Sequence, residues 1–256
     1  MEKPIDLKTK EIETKKVKRL FGHCFEMSKI DDGDLLGVGG DLFEQNITLG
    51  VKVDYQKFDE FFQSIKKIKE QCELPKLKNW LTSQKFDFDE NLFAELYAFT
   101  IGYEKKYPEK DNQSEYRGVF YEKASTQPKL SDVFEAKFVA CAEIAALAQG
   151  YLQKVGINSS YFSGEVLWDI KHEYSEEHSF LIIRHNGKVY VYDATNPISS
   201  TAGKMPSIYE IKGDFDGEMA KNQKRFVKAI NILSKSESFF GVNNGTNIVP
   251  ERHIAK

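Results

Sequence analysis

Residues 178–197, "HSFLIIRHNGKVYVYDATNP", read as two short apolar strands joined at Asn186-Gly187. Asn-Gly between alternating apolar residues is a strong hairpin signal, because a type I′ turn needs positive φ at both central positions. A two-residue loop pairs His185 with Lys188 and, carried outward, sets His178 opposite Thr195 and Phe180 opposite Asp193. Strand alternation then puts His178, Phe180, Ile182 and Arg184 on one face with Val189, Val191, Asp193 and Thr195. The apolar members mark that face as core-directed. His178 and Asp193 become diagonal neighbours, roughly 7–8 Å apart along the backbone, a span their side chains can bridge. An imidazole beside a carboxylate on a half-buried surface is oriented as a general base. On the hairpin alone, a structural pair at a sheet edge is the commoner outcome.

The other histidines add little. His185 lies an odd number of positions from His178 and faces the opposite way, while His23, His172 and His253 sit in segments without a recognisable site. No HxH or HxxxH spacing gives His178 a second metal ligand, so neither a metal nor another cofactor is expected.

A nucleophile is available upstream. In "AKFVACAEIAALAQGYLQKVGI" (136–157), Ala140, Ile144, Leu147, Ala148, Tyr151 and Leu152 form a helical apolar stripe around Cys141. The pattern from Ser131 to about Lys154 contains no breaker and predicts one long helix with Cys141 in its middle. A free cysteine there is ordinarily a small buried hydrophobe. Strand-like runs follow at 157–168 and lead into the hairpin.

Further out, Phe58, Phe61, Phe62, Ile65, Ile68 and Cys72 recur at helical spacing before Pro75. A second helix is predicted over Asn91–Tyr103 and a last one near Lys224–Ser234. The glycine-rich "DDGDLLGVGGDLFEQNITLG" (31–50) lacks the lysine of a phosphate loop and the closing glutamate of a calcium loop, and predicts a turn. The polar stretch 104–118 is the best boundary. The expected layout is a mostly helical N-terminal region over 1–110, a core over 111–240 and a tail over 241–256.

Composition narrows the function classes. The 256 residues include 36 basic and 39 acidic ones, a formal charge of −3, without the basic footprint of a nucleic-acid binder. No run approaches a membrane span and the N-terminus lacks the apolar core of a secretory signal. Three widely spaced cysteines, Cys24, Cys72 and Cys141, suggest neither a disulfide framework nor a zinc site. A cytoplasmic protein, or one exported without a cleaved signal, is expected.

The order "CAEIAALAQGYLQKVGI", "YFSG", "HSFLIIRHNGKVYVY", "DATNP" resembles the catalytic core of the transglutaminase-like superfamily, within the wider papain-like set of thiol enzymes. The resemblance covers about 60 residues, from Cys141 to Pro197, with spacing like that of compact bacterial members. It implies an α+β fold in which a Cys-bearing helix packs on an antiparallel sheet, and a helix that breaks or starts near Cys141 despite the uninterrupted local pattern. It also implies roles: Cys141 as nucleophile, His178 as general base and acid, and Asp193 as the residue orienting the histidine. Members commonly have Gly two residues before the Cys, where this chain has Val139. Glu135 stands where papain-like enzymes often carry an oxyanion glutamine, and Gln127 is the nearest one. The implied activity is amide chemistry through a thioester: deamidation, transamidation or proteolysis. The helical region over 1–110, outside the resemblance, is expected to shape substrate access or bind a partner, which makes a protein or peptide the expected substrate. The competing expectation is a binding module that keeps the fold without the chemistry. An exported effector is a further expectation of that resemblance.

Overall fold

The computed structural model describes residues 25–27, 29–37, 50–71, 81–83, 88–108, 120, 128–168, 176–200, 203–219 and 225–242. Cys24, Cys72, His23, His172, His253, Gln127, most of the glycine-rich stretch, most of the boundary at 104–118 and nearly all of the tail lie outside these residues.

The chain is α+β. Six antiparallel strands, β4 (Ser159–Leu167), β5 (Glu176–His185), β6 (Lys188–Ser200), β7 (Gly203–Ile211), β8 (Arg225–Asn231) and β9 (Glu237–Val242), follow one another in space as in sequence. β9 returns to pair with β4 and closes the sheet into a barrel. Closure leaves the six without a free edge, which the sequence pattern did not disclose. Short β1 (Phe25–Met27) pairs with β4, and β2 (Leu35–Gly37) pairs with β3 (Gly50–Lys52).

The hairpin register is as the Asn-Gly turn predicts. His185 faces Lys188 and Leu181 faces Tyr192, with φ of 50° at Asn186 and 73° at Gly187. Alternation sorts the strands into two buried faces. Phe162, Phe180, Ile182, Val191, Tyr209, Val227, Ala229 and Phe240 fill the barrel. Tyr161, Leu181, Ile183, Tyr190, Tyr192 and Ile208 point outward and pack beneath helices. The predicted helix near Lys224–Ser234 is instead strand β8: Val227 and Ala229 recur at period two and enter the barrel. A short helix, α5 (Phe215–Met219), places Phe215 among the barrel side chains.

The helical layer comprises α1 (Asp59–Gln71), α2 (Glu90–Lys106), α3 (Leu130–Ala136) and α4 (Cys141–Lys154), with a 3-10 turn over Tyr55–Phe58. α1 and α2 follow the predicted spans closely. The single helix predicted over 131–154 is two helices. Lys137 adopts a left-handed φ of 63°, its N–H bonds to the carbonyl of Phe134, and the N–H of Phe138 bonds to that of Val133. This pair of bonds is a Schellman termination, usually built on glycine, and a lysine there gives no signal in the sequence. The front of α3 is held by Asp54, whose carboxylate accepts from the Ser131 N–H at 3.0 Å and its hydroxyl at 2.6 Å.

α4 is buried on all sides from Ala142 to Leu152, as a helix apolar around its circumference should be. One side lies on the barrel. Against another sits Tyr55, whose hydroxyl donates to the carbonyl of Ala146 at 2.8 Å. The ring packs over Gly150, where an added Cβ would stand 2.5 Å from Tyr55 Cε1. Residues on both sides of position 110 share this apolar cluster. No helix among the described residues is long and apolar enough to cross a membrane. Gly150→Ala is expected to cost about 1–3 kcal/mol by forcing Tyr55 off the helix, measured as a lower urea midpoint with an unchanged slope.

Candidate functional site

Because α3 stops at Lys137, Ala140 is extended and Cys141 is the first residue of α4. The half-buried thiol therefore sits at the positive end of the helix dipole, a position that favours a thiolate. Glu143, fully buried, reaches back and accepts the Ala140 N–H at 3.0 Å. This is the carboxylate half of a capping box and fixes where the helix begins. A glutamate three residues after Ala140 was the one sequence sign of that start. Alanine at the N-cap concealed it.

His178 and Asp193 project from the inner face of the barrel, where they are almost completely buried. Their contact joins His178 Nε2 and Asp193 Oδ2 at 3.0 Å. Two irregularities create room for it. The β5–β6 ladder ends at Leu181↔Tyr192, so the strands carrying His178 and Asp193 part beyond that pair. Against β7, the register jumps from Asp193↔Ser207 to Ile198↔Met205, so Ala194-Thr195-Asn196-Pro197 bulge opposite the single residue Pro206. Neither proline can donate to a ladder, which suits both to the break.

The bulge folds around the Asp193 carboxylate. Oδ1 accepts the N–H of Thr195 at 2.9 Å and of Asn196 at 3.3 Å, and Oδ2 accepts the Asn196 side-chain amide at 2.9 Å. Burial opposes ionisation of Asp193. The His178 charge and contact, the Asn196 amide and the Thr195 N–H outweigh it and hold the carboxyl below its ordinary value. Burial likewise opposes protonation of His178, but the Asp193 charge and contact, followed by interaction with Cys141, push it up to about 10. At neutral pH the imidazole is a cation between a carboxylate and a sulfur. With Nε2 turned to Asp193, Nδ1 is the nitrogen left for Cys141.

The three sequence-predicted residues thus meet. Cys141, His178, Trp168, Glu176, Thr195, Asn196 and Tyr209 line one open cavity of about 470 Å³. Trp168 stands edge-on to the His178 ring at a centroid distance of 5.3 Å. Thr195, Asn196, Trp168, Glu176, Tyr209 and Glu143 were not singled out from sequence. Only the Asp-x-x-Asn spacing of 193–196 hinted at a side chain capped by its own loop. His185 lies apart, 3.2 Å from Asp89 at the start of α2. Glu135 is exposed on α3.

No family model, curated protein or solved structure matches the chain. The chemistry of the site is therefore read from its geometry.

The pair has a definite pH signature. The raised His178 value contributes stability that is fully present below its ordinary value of 6.5 and is lost as pH rises through about 10. The lowered Asp193 value contributes stability present above its ordinary value of 3.8 and lost as pH falls through the folded value. The stability gap between the parent chain and Asp193→Asn, from urea unfolding, is expected to be widest between those two ordinary values and to narrow on both sides. The imidazole nitrogens of His178 should show the protonated NMR signature at pH 8 in the parent and the neutral one in Asp193→Asn.

Proposed function

We propose that this chain is a cysteine-nucleophile enzyme of the transglutaminase-like kind, acting on amide bonds of a protein substrate through a thioester. The observation that carries the reading is the position of Cys141, at the first residue of a buried helix beside an imidazole held protonated by a buried carboxylate. A cysteine-bearing helix packed on an antiparallel barrel also fits the papain-like arrangement that the order Cys141, His178, Asp193 resembles. Val139 is compatible with it, since the turn into α4 is made at Lys137.

In this reading the Cys141 thiolate attacks the amide carbonyl carbon, forming a C–S bond as the carbonyl electron pair moves to oxygen. The backbone N–H of Cys141, in the first turn of α4, donates to that oxyanion. The tetrahedral adduct collapses, the C–N bond breaks, and His178 gives its Nδ1 proton to the departing amine. The neutral imidazole then takes a proton from the second nucleophile as it attacks the thioester, and the thiolate leaves. Asp193 keeps the ring oriented throughout. Water as the second nucleophile gives deamidation or proteolysis, and a primary amine gives transamidation.

Iodoacetamide is expected to label Cys141 at neutral pH on the order of tenfold faster than an ordinary thiol, and His178→Ala should remove that advantage. Labelling of the parent chain at an ordinary thiol's rate would leave a binding module with this fold as the better description. Incubation with candidate proteins, followed by mass spectrometry, should give a +1 Da shift, a new crosslink or a cleavage that Cys141→Ser does not produce.

A further inference from the structure

The cavity at Cys141 contains a charged group that the triad does not use. Glu176 lies two residues before His178 on β5 and so shares its inward face, but at the mouth, where it is exposed. Its Oε2 accepts the indole N–H of Trp168 at 3.0 Å, which fixes the carboxylate at the cavity wall. Oε1 makes no hydrogen bond to a described residue. The wall continues as the rings of Trp168 and Tyr209, and no lysine or arginine lines the cavity among the described residues. The positive charge of His178 is already balanced by Asp193 and Cys141.

A fixed carboxylate beside aromatic rings attracts a cation by direct Coulomb attraction, and a ring adds to it where the cation meets its face. It repels an anion. We infer that Glu176, with Trp168 and Tyr209, forms a subsite for an alkylammonium or guanidinium group of the substrate beside the reacting carbonyl. This deepens the thiol-enzyme reading and rests on it. The cation can belong to the acyl donor, as a lysine or arginine side chain near the attacked amide, or to the acyl acceptor, as a primary amine. The chemistry recognised is the same.

The test compares rates of Cys141 modification by aminoethyl methanethiosulfonate, a cation, and sulfonatoethyl methanethiosulfonate, an anion, followed at the Cys141 peptide by mass spectrometry. The cation-to-anion rate ratio should exceed that of the same peptide excised from the chain. Glu176→Gln preserves an acceptor for the Trp168 N–H and should lower the ratio about 25-fold, because one exposed charge at close range in water favours the cation and disfavours the anion about fivefold each. A ratio equal to the free peptide's, or one unchanged by Glu176→Gln, overturns the subsite.

The two levels fail separately. A fast neutral reaction with iodoacetamide but no charge preference removes the subsite alone. A slow neutral reaction with the charge preference intact removes the enzyme and keeps a cation-binding mouth. Slowing of iodoacetamide by Nα-acetyl-arginine amide assigns the cation to the acyl donor. Slowing by cadaverine alone assigns it to the acceptor.

Discussion

The placement of the Cys141 thiol depends on one backbone angle. Had α3 continued through Lys137, Cys141 would lie in mid-helix, its N–H committed to the carbonyl four residues back and its sulfur far from the dipole's positive end. The left-handed residue at φ 63° ends that continuity. A lysine in this conformation costs about 1–2 kcal/mol relative to the right-handed region, which the two Schellman bonds and the burial of Val133 and Phe134 must offset. Asp54 contributes from a distance by anchoring the start of α3, so that the short helix has a fixed beginning as well as a fixed end. Glu143 then fixes the start of the next helix.

The Asp193 side of the site is assembled by a second departure from regularity. A strict β6–β7 ladder would have kept Ala194 to Pro197 in the sheet and left the Asp193 carboxylate buried with His178 alone. The bulge turns two backbone amides and one side-chain amide onto it. Donors held in place by the fold are what allow a carboxylate at 1% exposure to stay ionised, and through it the imidazolium. The break in the β5–β6 ladder belongs to the same design. Strands paired to their ends would close the barrel wall between α4 and the inner face. By parting, they let a thiol outside the barrel meet an imidazole inside it.

The sequence carried the regular parts of this structure and was silent on the irregular ones. Asn186-Gly187 determines the hairpin register because few residues tolerate positive φ, and that register alone placed His178 and Asp193 on one face. The helices α1 and α2 were readable because their apolar residues recur at helical spacing. The break at 137 has no local signal, since its residue is a lysine and its energy comes from tertiary packing, and only the resemblance implied a helix start near Cys141. Barrel closure was also hidden, because β4 and β9 are far apart in sequence and pair without a local signal. The strand β8 was mistaken for a helix where seven residues of mixed polarity, "RFVKAIN", fit either period until the barrel interior selected Val227 and Ala229.

The helix α4 explains why the N-terminal residues belong to the site without touching it. A helix buried around its whole circumference has no position of its own: its depth and rotation are set by what packs on each side. The barrel supports one side through Tyr161, Leu181 and Ile183. The opposite side is supported by Tyr55, with its hydroxyl on the Ala146 carbonyl and its ring on Gly150, and by Glu95 of α2, which accepts the Tyr151 hydroxyl at 2.7 Å. Alanines along α4 let these neighbours approach closely, so a small shift of any of them moves the helix axis. The sulfur of Cys141, at the end of that axis, moves with it, and its reach to His178 is therefore set by residues as distant in sequence as Tyr55 and Glu95 as much as by the loop before it.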